Sequence, residues 1–323
     1  MCQSWVVLFL LVAGCQPVPE GESPQLGKTP ALSATQTETS TAPILVSEAT
    51  PQTPDSTKIP VILENGFLTS TELSTRELNR DTLDPTQWTS WPIIPAFNPY
   101  LIQVYQRGLE QGKQATRFSV LGDCQSLPDV FMGMFDTREM SFSDAEAGLY
   151  ETIDYYQGSF SHQSLTVIDG LSPPTALSAM WSDPSVCGST ESPLECELRV
   201  NQPSLLWINL GSNWKMDASL TSYEKYMRQI IESTLAEGVI PILSTKADNV
   251  EGGHRINALT AQLASEYQIP LWNFWRTADK LENHGLDDGR DNIYLTTEAW
   301  GVRSFTALRV LDALHRFLMD GVE

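Results

Sequence analysis

The chain has 323 residues, with 40 acidic side chains against 20 lysines and arginines, and a net charge of −20. That balance argues against binding a phosphate backbone, which needs clustered cations to displace counterions. The 41% hydrophobic and 9% aromatic content excludes a wholly disordered chain.

The first informative stretch is an unbroken apolar run over residues 6–12, followed by Ala13, Gly14 and Cys15. It has the plan of a secretory signal peptide and is too short to span a bilayer. Val12-Ala13-Gly14-Cys15 resembles a bacterial lipobox, in which the cysteine is lipidated and becomes the mature N-terminus; no Lys or Arg precedes the run. The alternative is a buried N-terminal strand carrying a thiol. Residues 16–60 are rich in Pro, Thr, Ser and Glu without lasting apolar period, the composition of an extended, flexible linker. Three segments are therefore expected: a signal peptide with lipobox (1–15), a tether (16–60) and a folded domain (61–323, core about 117–319). Such a chain is exported to the cell surface or the outer face of the bacterial membrane, which it meets through its lipid anchor only.

Disulfides persist in that compartment. Cys187 and Cys196 bracket a Gly/Ser/Pro-containing loop, and a bridge between them is expected, the alternative being two small buried hydrophobes. Cys2 leaves with the signal peptide, so Cys124 is expected to stay unpaired.

In chain order, residues 98–112 read as a helix leading into a short buried strand, 117–121, that stops at Gly122. Further apolar runs lie at 165–168, 205–210, 239–243 and 269–275, several followed at once by Gly, Asn or Asp. Between them, Tyr223, Met227, Ile230, Ile231 and Leu235 share one helix face with Gly238 as the stop, and Ile256, Leu259 and Leu263 share another. The last helix, 297–319, carries Val302, Phe305, Leu308, Leu311 and Leu314. Alternation of this kind predicts an α/β fold: a three-layer α/β/α arrangement, flavodoxin-like, with a parallel five-stranded sheet and helices on both faces. Its ligand site lies beyond the carboxyl ends of the strands. Trp207 and Trp272 are expected to fill the core, whereas Trp214 could either pack or stack on a ligand.

At those strand ends stand Gly122-Asp123-Cys124-Gln125-Ser126, then Gly211-Ser212-Asn213-Trp214, and before the last helix Asp291-Asn292-Ile293-Tyr294-Leu295-Thr296. In this order they resemble the motifs of the SGNH hydrolases, the GDSL-type esterases, over roughly residues 117–314. The resemblance implies that Cys124 stands where the family has its nucleophilic serine, with its backbone N–H in the oxyanion hole. It matches Gly170 to the family's second oxyanion donor and Asn213 to the third. It also places Asp291 at the orienting carboxylate and Tyr294 at the family's catalytic histidine. No cofactor is implied. The four histidines (His162, His254, His284, His315) show no zinc-helix pairing, so no metal site is expected.

A hydroxyl nucleophile needs a neighbouring base of pKa near 7, whereas a thiol, at about 8.5, is partly ionised unaided. Tyrosine, at about 10, cannot replace histidine as that base. Loss of a triad member leaves only ~10³–10⁴-fold catalysis. His254 and His284 lie in loops on the same rim and could substitute, the alternative being surface or capping histidines. Two functions are expected on these grounds: an impaired ester hydrolase acting on acyl or carbohydrate esters, or an inactive protein that binds a glycan or cell-envelope ligand in the old site. Neither involves nucleic acid.

Overall fold

A computed structural model of the chain describes residues 83–138 and 140–322. The apolar run, Cys15, the tether and the expected domain start at residue 61 lie outside the described residues. Four parallel strands form one sheet: β1 (Gln114–Gly122), β2 (Pro203–Asn209), β3 (Ile240–Ser244) and β4 (Leu271–Trp272), in the order β1-β2-β3-β4. Gly122 pairs with Asn209, and Ile208 with Leu243, so the carboxyl ends of the strands lie level.

Nine α-helices surround this sheet among the described residues. The long ones are α1 (Tyr100–Glu110), α6 (Leu220–Ala236), α7 (Arg255–Glu266) and α9 (Thr297–Val322). The shorter α2 (Met134–Thr137), α3 (Leu149–Tyr155), α4 (Pro173–Ala176), α5 (Pro193–Val200) and α8 (Phe274–Ala278) decorate the connections. They pack in two groups, α1, α3 and α8 against α9, and α6 against α4 and α7. The apolar faces read from the sequence are the buried ones: Tyr223, Met227, Ile230, Ile231 and Leu235 on α6, and Phe305, Leu308, Leu311 and Leu314 on α9. Trp207 and Trp272 are both buried. Gly238, at φ +69°, ends the α6 connection as expected, and it also meets α1. A Cβ on Gly108 would sit 2.1 Å from the Gly238 carbonyl oxygen, so the two backbones touch where no side chain fits.

Two expectations about the sheet are corrected. The fifth strand, at 165–168, is reduced to a single parallel bridge between Val167 and Gly122. Its backbone is spent elsewhere: Leu165 N–H donates to the Glu197 carboxylate at 2.7 Å, and Val167 N–H turns back to Ser164 O. The strand at 269–275 shrinks to two residues, because Asn273 turns its side-chain amide onto the carbonyls of Trp88 and Trp91 and α8 starts at Phe274.

Cys187 and Cys196 are bonded, with Cα atoms 5.4 Å apart, tying a surface loop to α5. Ser192 and Glu195 form a reciprocal cap at the start of that helix. The next residue after Cys196, Glu197, is fully buried. Its carboxylate accepts from Ser119 Oγ at 2.5 Å as well as from Leu165 N–H, and shares a hydrogen bond with His162 Nε2 at 2.9 Å. α5 is thereby pinned to β1 and to the segment that carries Gly170.

Candidate active site

β1 ends at Gly122, and the chain doubles back at once. Asp123 Oδ1 accepts from Gln125 N–H at 3.0 Å and caps a short 3₁₀ turn, Cys124–Ser126. A Cβ on Gly122 would lie 2.2 Å from Ser126 Oγ, so this turn needs glycine there. Gln125 then clamps the loop before α9: its Nε2 donates to Ile293 O at 3.2 Å, and its Oε1 accepts from Leu295 N–H at 2.9 Å. Tyr294, between those two residues, is carried to the end of β1. The clamp joins positions 168 and 170 residues apart. No motif singled out Gln125; its signal was only its place two residues after Asp123.

Asn213 arrives from the loop after β2. Its Nδ2 donates to Asp123 Oδ2 and to Leu171 O, both at 3.2 Å. A side-chain amide has two N–H donors, and both are engaged here. The oxyanion donor that the motif implies is therefore turned onto a carboxylate. Gly170, one residue before Leu171, has φ +74° and joins the same rim. The carboxyl end of β1 thus gathers Cys124, Asn213, Gly170 and Tyr294.

Two of the residues named from the motifs, Cys124 and Asp291, differ from expectation. Cys124 is 9% exposed and disulfide-bonded. The expectation of an unpaired thiol is corrected: in an odd set of five cysteines, a strand-end sulfur can still oxidise with another that reaches it. Asp291 is exposed, with its backbone in the left-handed region at φ +59°. The Tyr294 ring is covered instead by the Arg290 guanidinium, 3.9 Å from its centroid. Burial pushes the Tyr294 phenol above its usual pKa, helped by Asp169, Asp123 and Asp291 and opposed by Arg290. Tyr294 is thus even less ionised at neutral pH than free tyrosine.

The two histidines lie elsewhere on the rim. His254, at the N-cap of α7, packs edge-on against Trp275 with ring centroids 5.5 Å apart and also touches Trp88. Burial lowers its pKa, and its Nδ1 is buried without a hydrogen-bond partner. His284 is exposed and pairs with Asp279 at 3.3 Å. Neither lines the cavity behind the β1 turn. Trp214 turns inward onto Tyr223, with centroids 5.4 Å apart.

That cavity, about 40 Å³, lies among the strand ends and is walled by charge. Burial drives the Asp123 carboxyl up to about 6, against the opposing pull of the Gln125 N–H and of Arg303. Lys246 spends its ammonium on Asp248 and on Glu251, 2.6 Å away, while Ser212 Oγ donates to Asp248 Oδ2 at 2.6 Å. Glu251 also accepts from Ile256 N–H, supplying the first turn of α7 with the acceptor that His254 does not. Among the described residues, no group of three His, Cys, Asp or Glu side chains is arranged to hold a metal ion.

No family model and no curated protein sequence matches the chain. Among solved structures, a psychrotrophic esterase from Pseudoalteromonas sp. aligns with 62% of this chain and 98% of its own, at 13% identity and a TM-score of 0.41. A GDSL-like lipase from Bacteroides thetaiotaomicron aligns over 66% and 99%, at 13% identity and TM-score 0.37. A catalytic variant of an acetylxylan esterase from Geobacillus stearothermophilus aligns over 62% and 95%, at 15% identity and TM-score 0.40.

Proposed function

We propose that this chain is an exported, lipid-anchored protein of the GDSL type that takes a small acyl or carbohydrate ester at the carboxyl end of its sheet and turns it over slowly. One observation supports the reading: the loop that Gln125 clamps to the end of β1 carries Tyr294, a phenol with a raised pKa, where the motif resemblance expects a histidine base. An ester attacked at Cys124 would form an acyl-thioester by losing its alcohol, and a water would then have to be deprotonated to release the acid. Tyr294 cannot take that proton at neutral pH. Reduction of Cys124 is a precondition for the first step.

The test is a paired change over the same scaffold. Wild type under reductant is expected to hydrolyse p-nitrophenyl acetate close to the buffer rate while acquiring one acetyl group on Cys124, read by mass spectrometry. Cys124→Ser combined with Tyr294→His is expected to raise turnover at least tenfold, since it restores a hydroxyl and its base. Brisk wild-type turnover that survives Cys124→Ala would remove this reading.

A second reading, ligand binding without turnover, is favoured by the engagement of both Asn213 amide hydrogens by Asp123 and Leu171. Where charge must develop, the donor is already committed. A correctly folded but inert double variant would decide for it.

A further inference from the structure

Arg303, on α9, is 7% exposed, yet among the described residues no carboxylate forms an ion pair with it. Buried guanidinium groups ordinarily have a charged partner, because desolvating an isolated ion is costly. Of its five N–H donors, one is used on protein: Nη1 donates to Gln125 O. The plane lies over the Phe131 ring, 4.4 Å from the centroid, with Trp272 and Phe274 at 5.9 Å. This aromatic bed holds the fork in place and keeps water from its flanks. Arg303 also lines the cavity beside Asp123.

The other charged groups facing that cavity are Asp123 and the Lys246–Asp248 pair. The pair is compensated internally, since Lys246 donates to Asp248 and Glu251. Asp123 is held by Asn213 and Gln125. Arg303 feels the field of Asp123 but makes no hydrogen bond or ion pair with it among the described residues, so its remaining N–H donors are unmatched, and Ser212 and Ser244 line the same cavity. A cavity of 40 Å³ has room for about three water-sized positions, at ~10–15 Å³ each, which is the scale of a molecule of three or four heavy atoms. A planar carboxylate matches the guanidinium fork in shape and charge.

We propose that this cavity is a binding site for a small carboxylate of the formate or acetate class, held by the Arg303 guanidinium. Under the proposed function, such a molecule is the acid released from a short ester. The inference rests on that reading only for this role; binding itself is measured without turnover and fails or stands separately.

The experiment is a titration of full-length protein with sodium acetate at pH 5.5 and constant ionic strength. Sodium chloride is the control, and thermal melting and isothermal calorimetry are the readouts. Wild type is expected to show a saturable rise in melting temperature with acetate that chloride does not reproduce. Arg303→Lys keeps the charge but loses the fork, and is expected to weaken acetate at least tenfold. Ser244→Val narrows the cavity from β3 without touching Arg303 and is expected to abolish the shift, which keeps the test decisive if the arginine variant folds poorly. An equal response to chloride and acetate, or an unaltered acetate response in folded Ser244→Val, would overturn the proposal.

Discussion

Asp123 is pulled in two directions, and its titration is a sensitive residue-scale probe of the site. Burial raises its pKa from 3.8 to about 6, so the folded chain binds its proton more tightly than the unfolded chain does. The sign follows from linkage. The stabilisation from that proton is complete below pH ~4 and is lost as pH rises through ~6. Two pKa units set an upper bound on the order of 3 kcal/mol. Asp123→Asn keeps an acceptor for Gln125 N–H but presents nitrogen to Asn213, an offset of about 1 kcal/mol. The variant is therefore expected to match or exceed wild-type stability at pH 7 and to flatten the stability profile between pH 4 and 6. Urea titrations across that range check it; an unchanged slope would assign the proton to another group. Tyr294 belongs to the same scale. Its phenol is raised by burial and three carboxylates and stays protonated at neutral pH.

Two joints between elements hold the rim in place. Gln125 ties the β1 turn to the loop before α9, and Glu197 ties α5 to β1 and to the 162–171 segment. The second joint lies one residue from a disulfide, so the bond that closes the 187–196 loop also steadies the segment carrying Gly170. Replacing Cys187 and Cys196 with alanine is expected to cost about 2–3 kcal/mol, the loop-entropy scale for a bridge of sequence separation 9. A urea midpoint that does not move would show that the capping box and the Arg199–Glu191 pair hold the loop without it. Glu197→Leu is expected to be more damaging than Glu197→Gln, because leucine leaves Ser119 Oγ and Leu165 N–H buried without acceptors.

At the scale of the whole molecule, the charge of −20 and the N-terminal pattern bear on where the chain works. Cys15→Ser is expected to move the protein from the membrane to the soluble fraction, read by fractionation; an uncleaved, membrane-bound product would reject the lipid anchor. The covered interior was legible in the order of residues alone, because apolar period reports burial directly: the α6 and α9 faces, Trp207 and Trp272 are all where periodicity puts them. So was the placing of Gly122-Asp123, Asn213 and Tyr294 at one end of a parallel sheet, since such strands stop at their polar ends. The loss of the fifth strand was not legible, because it depends on a carboxylate, Glu197, that competes for Leu165 N–H from 32 residues away. Nor was the engagement of Asn213 by Asp123, 90 residues apart, or the reach of Arg303 to Gln125 O across 178 residues. Local pattern records which side chains avoid water. Which donor meets which acceptor is decided only when the strands and helices close on one another.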